Sequence, residues 1–213
     1  MKFNVYRELP PLLIMLIPFA YLAFIWNSLP AEVPVHWSIN GEINRWGSKN
    51  ELWILPFLLP FLVYVIFIIM PFIDPKRQIE SMGPKFHNLK LIMVLSMSLL
   101  AVVILYATQQ QELSETLLFA ALGFMFTALG NFFKTIRPNY FIGIRTPWTL
   151  ENETVWRKTH RMSGKLWFAG GLLIILSSLT LAPQTAMIFF FSMVALLTLI
   201  PLVYSYRLYH RLK

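Results

Sequence analysis

Apolar residues run in six long blocks along this chain, and polar residues gather in the joints between them. The blocks cover residues 9–27, 52–73, 89–107, 115–133, 165–182 and 185–205. Each is close to the ~20 residues a helix needs to cross a bilayer. The pattern predicts an all-α integral membrane fold with six transmembrane helices. The first block is too long for the apolar core of a cleaved signal peptide, and no small-x-small site follows Asn27.

Two joints are more than connectors. The joint at 28–50 reads SLPAEVPVHWSINGEINRWGSKN. Val33, Val35, Trp37 and Ile39 recur there at strand period. Asn40-Gly41 follows, a pair that tolerates positive φ at both turn positions and closes two-residue hairpins. A small β-hairpin is expected, pairing Ile39 with Glu42, Trp37 with Asn44 and Val35 with Trp46. Trp37 and Trp46 would hold it at headgroup level on the membrane face.

The joint at 137–164 reads RPNYFIGIRTPWTLENETVWRKTHRMSG. Two X-Pro bonds and Gly143 make its first part extended and irregular. Thr149 can then cap a helix carrying Glu151 and Glu153 in its first turn. Glu153, Trp156, His160 and Gly164 fall on one face of that helix. It is expected to lie along the inner interface and run into the fifth span. Gly170-Gly171 in that span would allow close helix approach. Pro56 and Pro60 predict an irregularity near the start of the second span.

Composition agrees with the pattern. Hydrophobic residues make up 57% of the chain and charged residues 13%, with a mean hydropathy of +0.60. The chain has no cysteine, which removes disulfides and cysteine metal sites. Charge then sets the orientation. Sixteen of the eighteen Lys and Arg fall in the tails and in the second and fourth joints, and only Arg45 and Lys49 fall on the other side. Positive-inside bias places both termini and the 137–164 joint in the cytoplasm, and the hairpin outside. The net charge of +8 is thereby accounted for by topology and contact with anionic lipid, so direct nucleic-acid binding is not expected. The chain divides into a first half at 1–110, with the hairpin module at 28–50, and a second half at 111–213, with the loop at 137–164. A long outer joint opens one half and a long inner joint the other, the plan of an inverted repeat.

The candidate chemistry is sparse. The central portions of the spans carry no ionisable residue, which argues against a proton-coupled transporter. His87 is expected to be a solvated loop residue. Asn131 is expected to hydrogen-bond a neighbouring helix. Glu153 and His160 are the best acid–base pair, but seven residues of helix rise separate them by about 10 Å. His160 has Trp156 and Gly164 at the four-apart positions where a metal partner would stand. No metal or cofactor is expected, and the chain reads as a non-enzyme.

The residues also carry a resemblance. The run through Gly130-Asn131, Ile136-Arg137-Pro138-Asn139, Gly143-Ile144-Arg145-Thr146-Pro147-Trp148-Thr149, Val155-Trp156, Thr159-His160-Arg161 and Gly164 resembles the signature of the SdpI family, bacterial immunity proteins against a secreted sporulation-delaying toxic peptide. Leu29-Pro30, Val33-Pro34, His36-Trp37, Gly41 and Trp46-Gly47-Ser48-Lys49 resemble the DUF1648-like outer module found ahead of it. That module often carries Asp where this chain has Asn44. The resemblance implies a multi-pass protein of the bacterial plasma membrane. It would confer resistance to a secreted antimicrobial peptide and, in a further reading, signal its presence to a cytoplasmic repressor. His36, Trp37, Asn44 and Trp46 would form the outer peptide-binding surface. Asn131, Arg137, Asn139, Arg145, Trp148, Glu153, Trp156, His160 and Arg161 would form an inner binding or structural motif. Membrane lipids are the remaining partner. Two other readings stay open: an enzyme acting on lipid or cell-wall precursor headgroups, and a transporter of amphipathic compounds.

Overall fold

The computed structural model describes residues 5–38 and 41–212. Among the described residues, six helical segments are long and apolar enough to cross a membrane. They are α1 (Val5–Ile25), the composite segment Lys49–Ile73, α4 (Pro84–Gln110), α5 (Glu115–Phe133), α7 (Glu153–Thr180) and α8 (Pro183–Leu212). Their outward faces are as apolar as their cores. Ile188, Phe191, Leu196, Leu199 and Val203 of α8 all stand exposed, a surface that would be an aggregation liability in water. The chain is a membrane protein.

The second segment shows what its prolines do. It opens as a 3-10 turn at Lys49–Trp53 and makes one α turn, α2 (Ile54–Pro56). It widens into a π turn at Phe57–Phe61 containing Pro60, then resumes as α3 (Leu62–Ile73). A proline withholds its N–H and collides with the carbonyl four residues back, so the irregularity lands where Pro56 and Pro60 predict it.

Helix α4 starts at Pro84, five residues before its apolar block. Gly83 precedes it at φ +54°, and proline is pre-organised for a first helical turn. This corrects the expectation for His87. It lies inside the helix with its side chain 13% exposed, 3.6 Å from Glu8.

Strands β1 (Glu32–Trp37) and β2 (Ile43–Ser48) form the hairpin. The register differs from expectation by one residue over most of its length. Trp37 pairs with Ile43 and Pro34 with Trp46. The reason is the turn. Ser38 N–H donates to the Glu42 carbonyl and Gly41 N–H to the Ser38 carbonyl, with Gly41 at φ +77°. Ser38 thus faces Glu42, one step off the expected register, and Gly41 takes the left-handed conformation that glycine tolerates. The expected Ile39–Glu42 pairing and Asn40 of the turn lie outside the described residues.

The hairpin does not stand alone. Val33 is fully buried against Leu22, Ile25, Leu29, Leu52 and Leu105. Thr108 donates to the Pro34 carbonyl at 3.2 Å. At the opposite end of the bundle α5 and α7 pack backbone to backbone. A Cβ on Gly164 would sit 2.8 Å from the Gly130 carbonyl, and one on Gly171 would sit 2.6 Å from the Gly123 carbonyl. Gly171 therefore gives the close approach expected of it. Gly170 instead faces Leu197 and Met193 of α8.

The expected interfacial helix is not a separate element. Residues 153–164 are the first turns of the unbroken α7. At 28 residues, α7 is about 42 Å long and exceeds a ~30 Å hydrocarbon core. Its polar first turns project beyond the apolar part.

Candidate functional site

Asn139 organises the first part of the 137–146 loop from within. Asn139 is 1% exposed. Its amide donates to the carbonyls of Arg137 and Ile142 at 2.8 and 3.1 Å, and its oxygen accepts from the N–H groups of Phe141 and Ile142 at 2.8 and 2.7 Å. One amide thus supplies the hydrogen bonds a short proline-bounded loop cannot make with itself.

His160 then receives the loop. Its Nε2 accepts from Ile144 N–H at 2.9 Å and its Nδ1 donates to the Trp156 carbonyl at 2.9 Å. A carbonyl can only accept and an N–H only donate, so the ring is neutral with its proton on Nδ1. Trp156 stacks on it at 4.1 Å and 22° and donates from Nε1 to the Ile136 carbonyl at 2.9 Å. Gly143, at φ +110°, lies so close that a Cβ there would collide with His160 Nε2. Phe133, Ile136 and Trp156 form the small core under the loop.

A short helix, α6 (Pro147–Glu151), carries the loop across to α8. Its cap is Thr146, not Thr149. Thr146 Oγ1 accepts from Thr149 N–H at 3.2 Å and Thr149 Oγ1 accepts from Thr146 N–H at 2.8 Å, a reciprocal box. Asn152 caps α7, accepting from Thr154 and Val155 N–H. Thr149 is buried and cannot serve as the expected cap, because α7 begins four residues later. Trp148 donates from Nε1 to Ser205 Oγ at 2.6 Å and meets Tyr206 edge-on. Tyr209 donates to Glu151.

The structure therefore brings Asn139, Trp148, Trp156 and His160 into one folded unit. The remaining candidates stand apart. Arg137 is exposed, and Arg145 is exposed with its guanidinium donating to the Tyr140 carbonyl. Glu153 meets Arg157 at 3.7 Å with both side chains about two-thirds exposed, a contact of little energetic weight. Asn131 is exposed and makes no side-chain hydrogen bond among the described residues, which corrects the expected link to another helix. α5 turns Gly130 to α7 and leaves Asn131 on the wall of a cleft, where Arg161 also stands.

On the hairpin, His36 Nδ1 donates to Asn44 Oδ1 at 2.6 Å. The polar cross-strand contact at Asn44 is thus His36 and not Trp37. Trp46 is 49% exposed. Trp37 is half-buried, and its Nε1 has no partner among the described residues. Lys49 donates to the carbonyls of Trp26 and Leu29 at 3.3 and 3.5 Å and sits 4.8 Å over the Trp26 ring.

The structure also holds a cluster that the sequence did not reveal. Glu8 and Lys90 are 3% and 1% exposed. Lys90 Nζ lies 2.6 and 2.5 Å from the two Glu8 oxygens, and Tyr64 donates to Glu8 at 3.0 Å. The spacing of Lys90 three residues after His87 was a faint signal. Glu8, the acid in a basic tail, was another. No group of three or more His, Asp or Glu has metal-binding geometry among the described residues.

Comparison with known proteins now bears on both modules. Residues 13–59, which include the second half of α1 and the hairpin, match the model of a domain of unknown function, DUF1648. The chain is 23% identical over 173 residues to the immunity protein SdpI of Bacillus subtilis (strain 168), covering 81% of each chain. No solved structure matches. Residues 135–205, which hold the Asn139–Trp156–His160 unit and most of α8, match the model of the SdpI/YfhL protein family.

Proposed function

We propose that this chain is a membrane immunity protein that protects its cell from a secreted antimicrobial peptide. The relation to an immunity protein over four-fifths of both chains carries the reading. The hairpin supplies a surface for it: Trp46 and the His36–Asn44 pair are open on a module whose other face is locked to α1 and α4. In this reading the hairpin lies outside, both termini lie in the cytoplasm, and the two halves of the chain carry the outer and inner modules. His36, Trp37, Asn44 and Trp46 meet the peptide. The loop at 137–146 with α6 forms an inner face that can engage a cytoplasmic repressor.

An enzymatic role is less well supported. His160 spends both ring nitrogens on backbone groups, so it has no lone pair left to take a substrate proton. Its partner Glu153 lies two turns away along α7, about 10 Å by helix rise, and is exposed.

The test is direct binding. The purified chain in lipid nanodiscs, carrying a photo-crosslinker in place of the exposed hairpin residue Glu42 or of Leu212, is mixed with a secreted toxic peptide of the sporulation-delaying class. Crosslinking at the hairpin position alone is expected. Absence of binding, or crosslinking at the C-terminal position alone, refutes the assignment.

A further inference from the structure

Between α5 and α7, at the end of the bundle that carries the 137–146 loop, an open cleft of about 910 Å3 is lined by Lys134, Arg157, Lys158, Arg161 and Lys165. No carboxylate lines it. Arg157 has its weak contact with Glu153. Among the described residues the other four cations have no acidic partner within ion-pair distance. A positive-inside signal accounts for their number but not their convergence. Like charges gathered around one concavity repel, and the arrangement is relieved only by an anion.

The cleft has direction. Gly130 and Gly164 touch backbone to backbone and form its floor. Along α7 the lining runs from Arg157 to Phe168, about 16 Å by helix rise. Four cations of α7, Arg157 to Lys165, occupy about the first 12 Å of that length, and Phe168, 44% exposed, closes the far end on the membrane-facing side. A ligand that fits has a multiply charged head and an apolar tail. The volume is that of a small-molecule site. Lysine and arginine are phosphate binders as point charges and forked donors. Asn131, unpaired on the same wall, adds an amide donor. His160 contributes only its ring edge, because Ile144 occupies Nε2.

We propose that this cleft binds the phosphate headgroup of an anionic phospholipid, with the acyl chains lying along Phe168. The site would fix the α5–α7 pair, and the loop folded against it, to one leaflet of the membrane. The proposal is independent of peptide binding by the hairpin.

The experiment measures retention of phosphatidylglycerol by the purified full chain, by native mass spectrometry and by titration with vesicles of phosphatidylglycerol in phosphatidylcholine. Two variants each remove two positive charges: Arg161→Gln with Lys165→Gln in the cleft, and Arg207→Gln with Arg211→Gln on α8. At about fivefold per lost hydrogen bond to the headgroup, the cleft variant is expected to bind roughly 30-fold more weakly. The α8 variant is expected to keep near wild-type affinity. Equal loss in both variants would reduce the effect to general surface charge and overturn the proposal. Complete displacement of the lipid by millimolar inorganic phosphate would overturn the lipid assignment in favour of a soluble anion. Should the cleft variant fail to insert, Phe168→Gln provides the second measurement. It is expected to weaken lipid retention and leave inorganic phosphate binding unchanged, and unaltered retention would count against the proposal.

Discussion

Replacing Lys90 by methionine is the sharpest test of how the first half is held together. The Lys90 ammonium lies within 2.6 Å of both Glu8 oxygens, and both residues are almost fully buried. The pair ties α1 to α4, and Tyr64 adds α3 through its hydrogen bond to the same carboxylate. Removing the cation leaves a buried carboxylate supported only by one tyrosine hydroxyl and by His87 at 3.6 Å. Breaking a buried pair from one side costs about 3–5 kcal/mol, because the remaining charge is uncompensated. Replacing both members by apolar or neutral groups of similar size is often close to neutral. Lys90→Met should therefore destabilise by about 3–5 kcal/mol, and Glu8→Gln combined with Lys90→Met should recover most of that loss. Reversible unfolding in mixed micelles, followed by helical circular dichroism, measures both. A loss below about 1 kcal/mol for the single variant, or simple additivity in the double, would refute the reasoning.

Three further outcomes follow from the geometry. Asn139→Leu removes four hydrogen bonds, at about 1 kcal/mol each, and should cost about 2–4 kcal/mol; Asn139→Asp should not rescue it, because a carboxylate would face the Arg137 and Ile142 carbonyls, and the same unfolding assay reads both. Gly171→Ala places a methyl against the backbone of Thr127 and Gly123 and should cost about 1–3 kcal/mol by overpacking, with separation of α5 from α7 visible as altered crosslinking between the two helices. Because the chain lacks cysteine, single Glu42→Cys and Lys158→Cys variants report sidedness cleanly. An impermeant maleimide added to intact cells should label the first and not the second, and the reverse result would invert the proposed orientation.

Much of this architecture was legible because a bilayer imposes simple rules. Six apolar blocks had to become helices, since no other open structure satisfies its backbone in lipid. Alternation from Val33 to Trp37 revealed the hairpin. Its register was not legible to one residue, because a glycine at positive φ serves two- and three-residue loops alike. Four-residue spacing placed Trp156, His160 and Gly164 on one buried face of α7. Charge was the poorer guide. Lys90 looked like one more topological cation, yet it is buried against an acid 82 residues away, a pairing only the packing of α1 on α4 creates. Arg137 and Arg145 looked like members of one inner motif with Arg161, but neither lines the cleft, and Lys134, Arg157, Lys158 and Lys165 stand there with Arg161. Thr149 looked like a cap because a helix follows it, but Thr146 and Asn152, each set just ahead of a helix, hold the geometry that capping requires.

The central claim is protection, and survival measures it most directly. Toxin-sensitive cells expressing the chain, with its presence in the membrane verified, are challenged with a secreted toxic peptide of the sporulation-delaying class beside cells carrying empty vector. The expressing cells are expected to survive, and Trp46→Ala is expected to insert normally but lose that protection. Folded, membrane-resident wild-type chain that confers no survival advantage would contradict the claim.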